Sequence, residues 1–153
     1  MKSGSTEVDM MDIKIKVFEG GKLPVYKTKG ASCADCYARL EGKDFTVIFP
    51  NERELIPLGF ALELPEGYEA VIRPRSGMMS KGIDEAIGTI DSDYRGEVRA
   101  CIINNTTQRI KIYDGDRICQ MKIQESQQFS FKVVDELSET ERGVGGFGST
   151  GVK

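Results

Sequence analysis

Apolar residues in this chain recur at every second position over short runs, and no window sustains the three-to-four spacing of an amphipathic helix. In "DIKIKVF", Ile13, Ile15 and Val17 share one face and lysines take the other. "FTVIF", "FALELP", "YEAVIRP", "EVRACII", "RIKIY", "RICQMKI" and "FSFKVV" repeat the pattern, separated by the turn signals "FPNERE", "LPEGYE", "INNTTQ" and "YDGDR". Alternation puts successive side chains on opposite sides of a strand, so many short half-buried strands predict an all-β sandwich or jelly roll. Only "SGMMSK" offers room for a turn or two of helix. The chain of 153 residues suits one domain with its own core. Residues 1–10 read as a flexible lead, 11–137 as the β domain and 138–153 as a mobile glycine-rich arm. An all-β domain has edges that invite pairing, and "FSFKVVDEL", just before the arm, is a candidate strand for donation to a neighbouring copy.

Composition removes several classes of chemistry. The chain has no histidine, which excludes Ser-His-Asp and Cys-His nucleophiles and imidazole metal sites. A general base near neutral pH must then be Asp, Glu, Lys, Tyr or Cys, and an oxygen-built site for a hard cation stays open. A net charge of -3 gives no reason to expect nucleic acid or an anionic membrane as partner. No apolar run approaches membrane-spanning length, and "MKSGSTEVDM" lacks an apolar signal core. The expected location is the cytoplasm, or the nucleus in a eukaryote. Cys33 and Cys36 form a C-x-x-C, but Cys101 and Cys119 stand 18 apart and supply no second pair for zinc, so core packing is the favoured reading for all four. The closing "RGVGGFGSTGVK" imitates two nucleotide motifs: Gly143, Gly145 and Gly148 satisfy G-x-G-x-x-G, and Ser149 stands where a Walker lysine would be. Both motifs need a following helix to receive phosphate, and the chain given runs only five residues past Gly148.

Three polar clusters interrupt the strands. "RPRSGMM" (Arg73 to Met79) joins a guanidinium, a hydroxyl and an open backbone N–H at a strand end, which is either a phosphate site or a turn with exposed arginines. "GTIDSDYRGEV" (Gly88 to Val98) carries Asp91, Asp93, Tyr94 and Arg95. Its acids make either an Asx-type turn or a carboxylate that positions water while Tyr94 packs against a ring. In "YDGDRICQMKI", Gln120 sits between Cys119 and Met121, where a partly buried amide must find a backbone or ligand partner.

Taken in order, these stretches resemble the trimeric deoxyuridine triphosphatase (dUTPase) family over nearly the whole chain from about residue 11. "GASCADCYA", "RPRSG", "GTIDSDYRGEV", "GDRICQM" and "RGVGGFGSTG" resemble its five motifs in sequence. The resemblance implies a β jelly roll, a homotrimer with shared active sites, and an arm that closes over a neighbour's site. It implies hydrolysis of dUTP to dUMP and pyrophosphate with Mg2+ on the triphosphate, limiting uracil in DNA and supplying dUMP for thymidylate synthesis. Asp91 matches the residue that activates the attacking water. Arg75, Ser76, Gly77 and Gln120, with Arg142, Ser149 and Thr150 of the arm, match phosphate contacts. Tyr94 matches the ring under deoxyribose and Phe147 the ring stacked on uracil, whose edge the backbone from Ile83 to Gly88 would read. Asp35 matches a support for the site or for metal-bound water, with no direct metal ligand implied, and Asp93 is assigned to hydrogen bonding within its turn.

Two stretches depart from the family pattern. "KGIDEAIGTID" is about two residues shorter than the common hairpin before G-x-I-D and carries Asp84, Glu85 and Ala86. In the first motif, Cys33, Ala34 and Cys36 replace a glycine, a bulky residue and a leucine. Two alternatives follow. One is a dUTPase-fold regulator that acts by binding a protein partner. The other is a dCTP deaminase-related hydrolase, although "GEVRACIINN" offers only Glu97 where deamination needs a glutamate.

Overall fold

The computed structural model describes residues 10–151, so all but the last residue of the 1–10 lead lies outside the described residues. Eleven strands and one short helix make up the regular structure of those residues. The strands are β1 (Lys14–Val17), β2 (Ala34–Tyr37), β3 (Phe45–Ile48), β4 (Arg53–Pro57), β5 (Phe60–Glu63), β6 (Tyr68–Arg73), β7 (Ile83–Ala86), β8 (Gly88–Ile90), β9 (Arg99–Asn104), β10 (Ile110–Tyr113) and β11 (Arg117–Glu125). The helix α1 (Ser76–Met79) falls within "SGMMSK". A four-stranded sheet of order β2-β11-β6-β8 and a three-stranded sheet of order β4-β9-β7 are joined by the ladders β1-β5 and β3-β10, every pairing antiparallel. The architecture is the all-β jelly roll that the alternation predicts.

Each strand turns one row of side chains into a common core. Ile56, Leu58 and Phe60 enter it from the β4–β5 corner, Ile72 from β6, Ile102 from β9 and Ile118 from β11. At that corner Gly59 adopts φ +80, and Gly21 lies so close that a methyl on it would meet the Gly59 carbonyl oxygen. Two backbones touch there, and the Phe18 N–H donates to the Gly59 carbonyl at 2.9 Å. Cys36 and Cys119 face each other across the β2–β11 ladder, both fully buried, so this pair packs as core. Their mutual hydrogen bonding, then burial, pushes the Cys119 thiol up, which keeps it protonated.

Two sequence expectations change. "FSFKVV" forms no strand on its own chain: Phe129, Phe131 and Val133 are 74, 97 and 94% exposed, and residues 127 to 134 pair with nothing among the described residues. Residues 82–88, expected as a shortened hairpin, are a crossover between sheets. β7 pairs with β9 in the three-stranded sheet, whereas β8 pairs with β6 in the four-stranded one. Only Ile87 separates β7 from β8, and a hairpin reversal needs about two loop residues. Alternation identifies a strand without naming its partner, which is why the sequence suggested the wrong pairing.

One polar side chain sits wholly inside. The Asn104 amide donates to the carbonyls of Ile48 (2.9 Å) and Gln108 (2.8 Å), and its oxygen accepts from the Thr106 N–H (2.9 Å) and hydroxyl (2.7 Å). This pins the 104–108 turn to the end of β3. Asn104→Ala strands those groups in the interior, and a loss of about 3 kcal/mol is expected. Thermal unfolding at matched protein concentration checks it, and an unchanged midpoint would remove the bonds from the stability account.

Candidate active site

The row Asp35, Gln120, Arg73 runs straight across β2, β11 and β6 and carries the first cluster. Asp35 lies between two guanidiniums: Arg117 Nη1 is 3.1 Å from its Oδ2, and Arg75 Nε is 3.7 Å from its Oδ1. Arg75 also donates from Nη1 to the Arg117 carbonyl at 2.9 Å, which fixes the base of its fork. Gln120 finds the backbone partner its position demanded, donating to the Pro74 carbonyl at 2.9 Å and holding the chain where β6 gives way to α1. Past Arg75, Ser76 and Gly77 are exposed, and space around Gly77 is open. The N–H groups of Ser76 and Gly77 have no partner among the described residues, as expected of a first helical turn. A hydroxyl, two free N–H donors and a fixed guanidinium thus converge on solvent and can take an anion.

The second cluster lies in the turn after β8. The Tyr94 N–H donates to the Asp91 carbonyl (3.1 Å) and Arg95 Nη1 to the Ser92 carbonyl (2.6 Å). Asp93 makes no side-chain hydrogen bond among the described residues and lines a separate cleft with Ser92; within the turn it is Arg95 that bonds the Ser92 carbonyl. Tyr94 folds over Gly96, where a methyl would strike the ring, and its hydroxyl donates to the Glu97 carbonyl at 3.2 Å. Glu97 is held by Arg39 at 2.7 Å, and Arg39 donates to the Glu19 carbonyl at 2.7 Å. The result is a cavity of about 250 Å³ lined by Gly88, Thr89, Ile90, Asp91, Tyr94 and Glu97, among others. Asp91 is exposed at its mouth with no side-chain hydrogen bond among the described residues. Ile83 lies elsewhere, paired with Asn104 at the other end of the crossover.

One chain does not bring the two clusters together. β8 runs antiparallel to β6 with Gly88 opposite Ile72 and Ile90 opposite Ala70, so Asp91 continues to the level of Glu69 while Arg75 lies past Arg73. Arg75 lies six positions beyond Glu69, on the order of 20 Å of extended chain. The arm joins neither cluster. Arg142 donates to the Gly145 carbonyl at 2.9 Å, Ser149 N–H to the Gly146 carbonyl at 3.1 Å, and Phe147 stands fully exposed at φ 53. Thr150 also lies on this exposed stretch. A cleft of about 930 Å³ sits at the root of the arm beside Tyr68 and Gln127 and includes neither Asp91 nor Arg75. Its lining sets three carboxylates, Glu66, Asp93 and Glu125, against one guanidinium, Arg95, a negative balance that does not suit a polyanion.

Comparison with known proteins connects these separated pieces. The family model described as dUTPase matches residues 19–151, which include both clusters and all but the last two residues of the arm. The chain belongs to the dUTPase family. It is 46% identical over 143 residues to a deoxyuridine 5'-triphosphate nucleotidohydrolase of Rhizobium rhizogenes, covering 92% of each chain. It is 47% identical over 145 residues to that of Treponema denticola, covering 93% of this chain and 99% of the other. Among solved structures it is similar to the dUTPase of Staphylococcus bacteriophage 80alpha with dUpNHpp bound, at TM-score 0.85 and 25% identity, covering 94% of this chain and all of that one. The dUTPase of S. aureus phage phi11, described with a structural Mg(II) ion, has TM-score 0.76 at 22% identity over 84% of this chain and all of its own.

One group in this dUTPase-family chain escaped the sequence reading. Glu85 on β7 is 4% exposed, and its Oε2 has no hydrogen-bond partner among the described residues. Burial, with a smaller push from Asp84, raises its carboxyl from 4.5 to about 7 against a lowering contribution from the Cys101 backbone N–H. Its position in "IDEA", where alternation points it inward, was the available signal. A folded-state value above the ordinary one means that Glu85 favours folding fully below pH 4.5 and loses that contribution as pH rises through about 7. Glu85→Gln should therefore gain stability over the parent at pH 8, by on the order of 3 kcal/mol, and match it near pH 4.5. Unfolding midpoints of both proteins from pH 4.5 to 8 check this; parallel profiles would show the carboxyl is not held protonated.

Proposed function

We propose that this chain hydrolyses dUTP to dUMP and pyrophosphate, with magnesium on the triphosphate, in a homotrimer whose active sites are shared between copies. The observation that carries the reading is the division of labour on one chain: an anion cradle at one end of β6 and a carboxylate-bearing cavity on the order of 20 Å away. Each half lacks what the other has, and a second copy can supply it.

In that site Arg75, with the N–H groups of Ser76 and Gly77 and the Ser76 hydroxyl, holds the phosphates, and Gln120 fixes the turn that presents them. Asp91 accepts a proton from water as the water oxygen bonds to the α-phosphorus. The bond from that phosphorus to the bridging oxygen breaks on the far side, and pyrophosphate leaves. Tyr94, braced by Gly96 and Glu97, lies under deoxyribose, where a 2'-hydroxyl would meet it, and the Gly88 backbone faces the base. The arm, 138–153, comes from a neighbouring copy. Arg142, Ser149 and Thr150 add donors to the phosphates, and Phe147 covers uracil, excluding water other than the nucleophile.

Among the described residues no three His, Cys, Asp or Glu side chains stand close enough to hold a metal ion. Asp35 is already engaged by Arg75 and Arg117. In this reading magnesium would be carried by the triphosphate, and Asp35 would meet it through water. When bound, the ion supplies neutralisation of phosphate charge.

Pyrophosphate release from dUTP, UTP, dCTP and dTTP tests the reading. Turnover of dUTP alone is expected, with Asp91→Asn lowering kcat by about 10²–10⁴-fold. Turnover of dCTP would show that the crossover at Ile87 has altered base reading, and a mutant as fast as the parent would remove Asp91 as base. Sedimentation is expected to give a trimer; a stable monomer would end the shared-site account.

A further inference from the structure

Beside the anion cradle lies a group of cations that the proposed reaction does not use. Lys22 Nζ is 5.1 Å and Lys27 Nζ 5.6 Å from the centroid of the Tyr37 ring. Tyr37 pairs directly with Arg117 and lies two residues from Asp35 on the same face of β2. Neither lysine forms an ion pair among the described residues: Asp35 is taken by Arg75 and Arg117, and Asp114 and Asp116, which flank the Gly115 that Lys22 Nζ lies against, accept from the backbone N–H groups of Leu40 and Tyr113. Two ammonium groups drawn to one ring with no ion pair of their own keep donors open to an incoming carboxylate. Between the lysines, Leu23 and Tyr26 stand 56 and 55% exposed, and Val25 is bonded through its backbone to Asp35 (2.9 and 3.1 Å). The surface is thus an apolar strip whose two flanking lysines converge on Tyr37, fixed to the strand that carries Asp35.

The complementary pattern is on the arm. Val133, Val134 and Leu137 are exposed, and around Leu137 come Asp135, Glu136, Glu139 and Glu141, directly before Arg142. None of these acids has an ion pair among the described residues. The arm leaves the body at the far end of β11: Ser126 bonds to Gly67, while Arg117, opposite Tyr37, begins that strand. The nine residues of β11 put the root of the arm roughly 27 Å from the lysines.

We infer that the segment from Lys22 to Lys27 is the docking strip for the acidic run 135–141 of a second copy's arm, with Lys22 and Lys27 engaging its carboxylates and Leu23 and Tyr26 its apolar residues. The inference deepens the shared-site reading and rests on it: docking the acidic run here delivers the following residue, Arg142, to the cradle formed by Arg75. Substrate phosphate is the competing occupant of the lysines. The arm is favoured because it matches the strip in apolar side chains as well as in charge.

Zero-length carbodiimide coupling of the intact assembly, with and without dUpNHpp, tests this independently of turnover. Lys14 and Glu63, 3.2 Å apart, serve as an internal control. The expected result is a peptide joining Lys22 or Lys27 to residues 135–141, with cross-linked dimers on a denaturing gel that disappear in Lys22→Glu/Lys27→Glu. In that double variant KM for dUTP should rise about five- to tenfold at low salt, and adding Glu136→Lys/Glu139→Lys should restore most of it. A control cross-link without the arm cross-link, or an arm cross-link confined to single chains, overturns the inference. So does a loss of dUTP affinity that the arm reversal fails to rescue, which would assign the lysines to the phosphates.

Discussion

The pairing of β11 with β2 on one side and β6 on the other sets both the core and the anion cradle. One face of β11 sends Cys119 and Met121 inward, while Gln120 between them reaches the Pro74 carbonyl. The register that buries Cys119 against Cys36 is the same register that aligns Asp35, Gln120 and Arg73. A slip of one residue would exchange the faces of the strand, bringing Gln120 into the apolar layer and a thiol to the surface. Hydrophobic burial therefore fixes where the charged groups stand, and the cradle needs no separate device to hold its geometry.

Electrostatics then works within that frame. Arg75 and Arg117 converge on one end of the sheet, and the single carboxylate of Asp35 keeps them apart and oriented. Asp35 shares its charge between two partners, so the cluster retains excess positive charge for an incoming polyanion. The other half of the chemistry is oriented differently: the Asp91 turn is closed by backbone bonds and Arg95, and Tyr94 by contact with Gly96. There the charged groups, Arg95 and the Glu97–Arg39 pair, are spent on the protein itself, whereas the cradle keeps positive charge for phosphates.

Much of this was legible in the sequence, for a physical reason. Alternation reports burial directly, so β5, β6, β9 and β10 stand where "FALELP", "YEAVIRP", "EVRACII" and "RIKIY" put them. "RPRSG" and "GDRICQM" do meet in space, since Arg75, Gln120 and Arg117 share one end of the sheet. What local pattern cannot report is partnership. "FSFKVV" has strand character and no strand to pair with on its own chain. Residues 83–90 carry two strand signals that belong to different sheets. Glu85 was hidden for a related reason: a carboxyl in a strand reads as an outward residue unless its neighbours' parity is followed through to the core.

The crossover at Ile87 also bears on how this chain tolerates change in length. An inserted residue inside a ladder shifts every side chain beyond it to the opposite face, whereas β7 and β8 keep separate registers and meet only through one residue that is 71% exposed. Extra residues there would lengthen an external loop at a cost that grows slowly, about 0.6 kcal/mol for each doubling. Neither sheet would have to re-pair. The wall of the Asp91 cavity thus begins at a point where insertions and deletions are cheap, so the reach of the base-facing loop can be changed without rebuilding the fold beneath it.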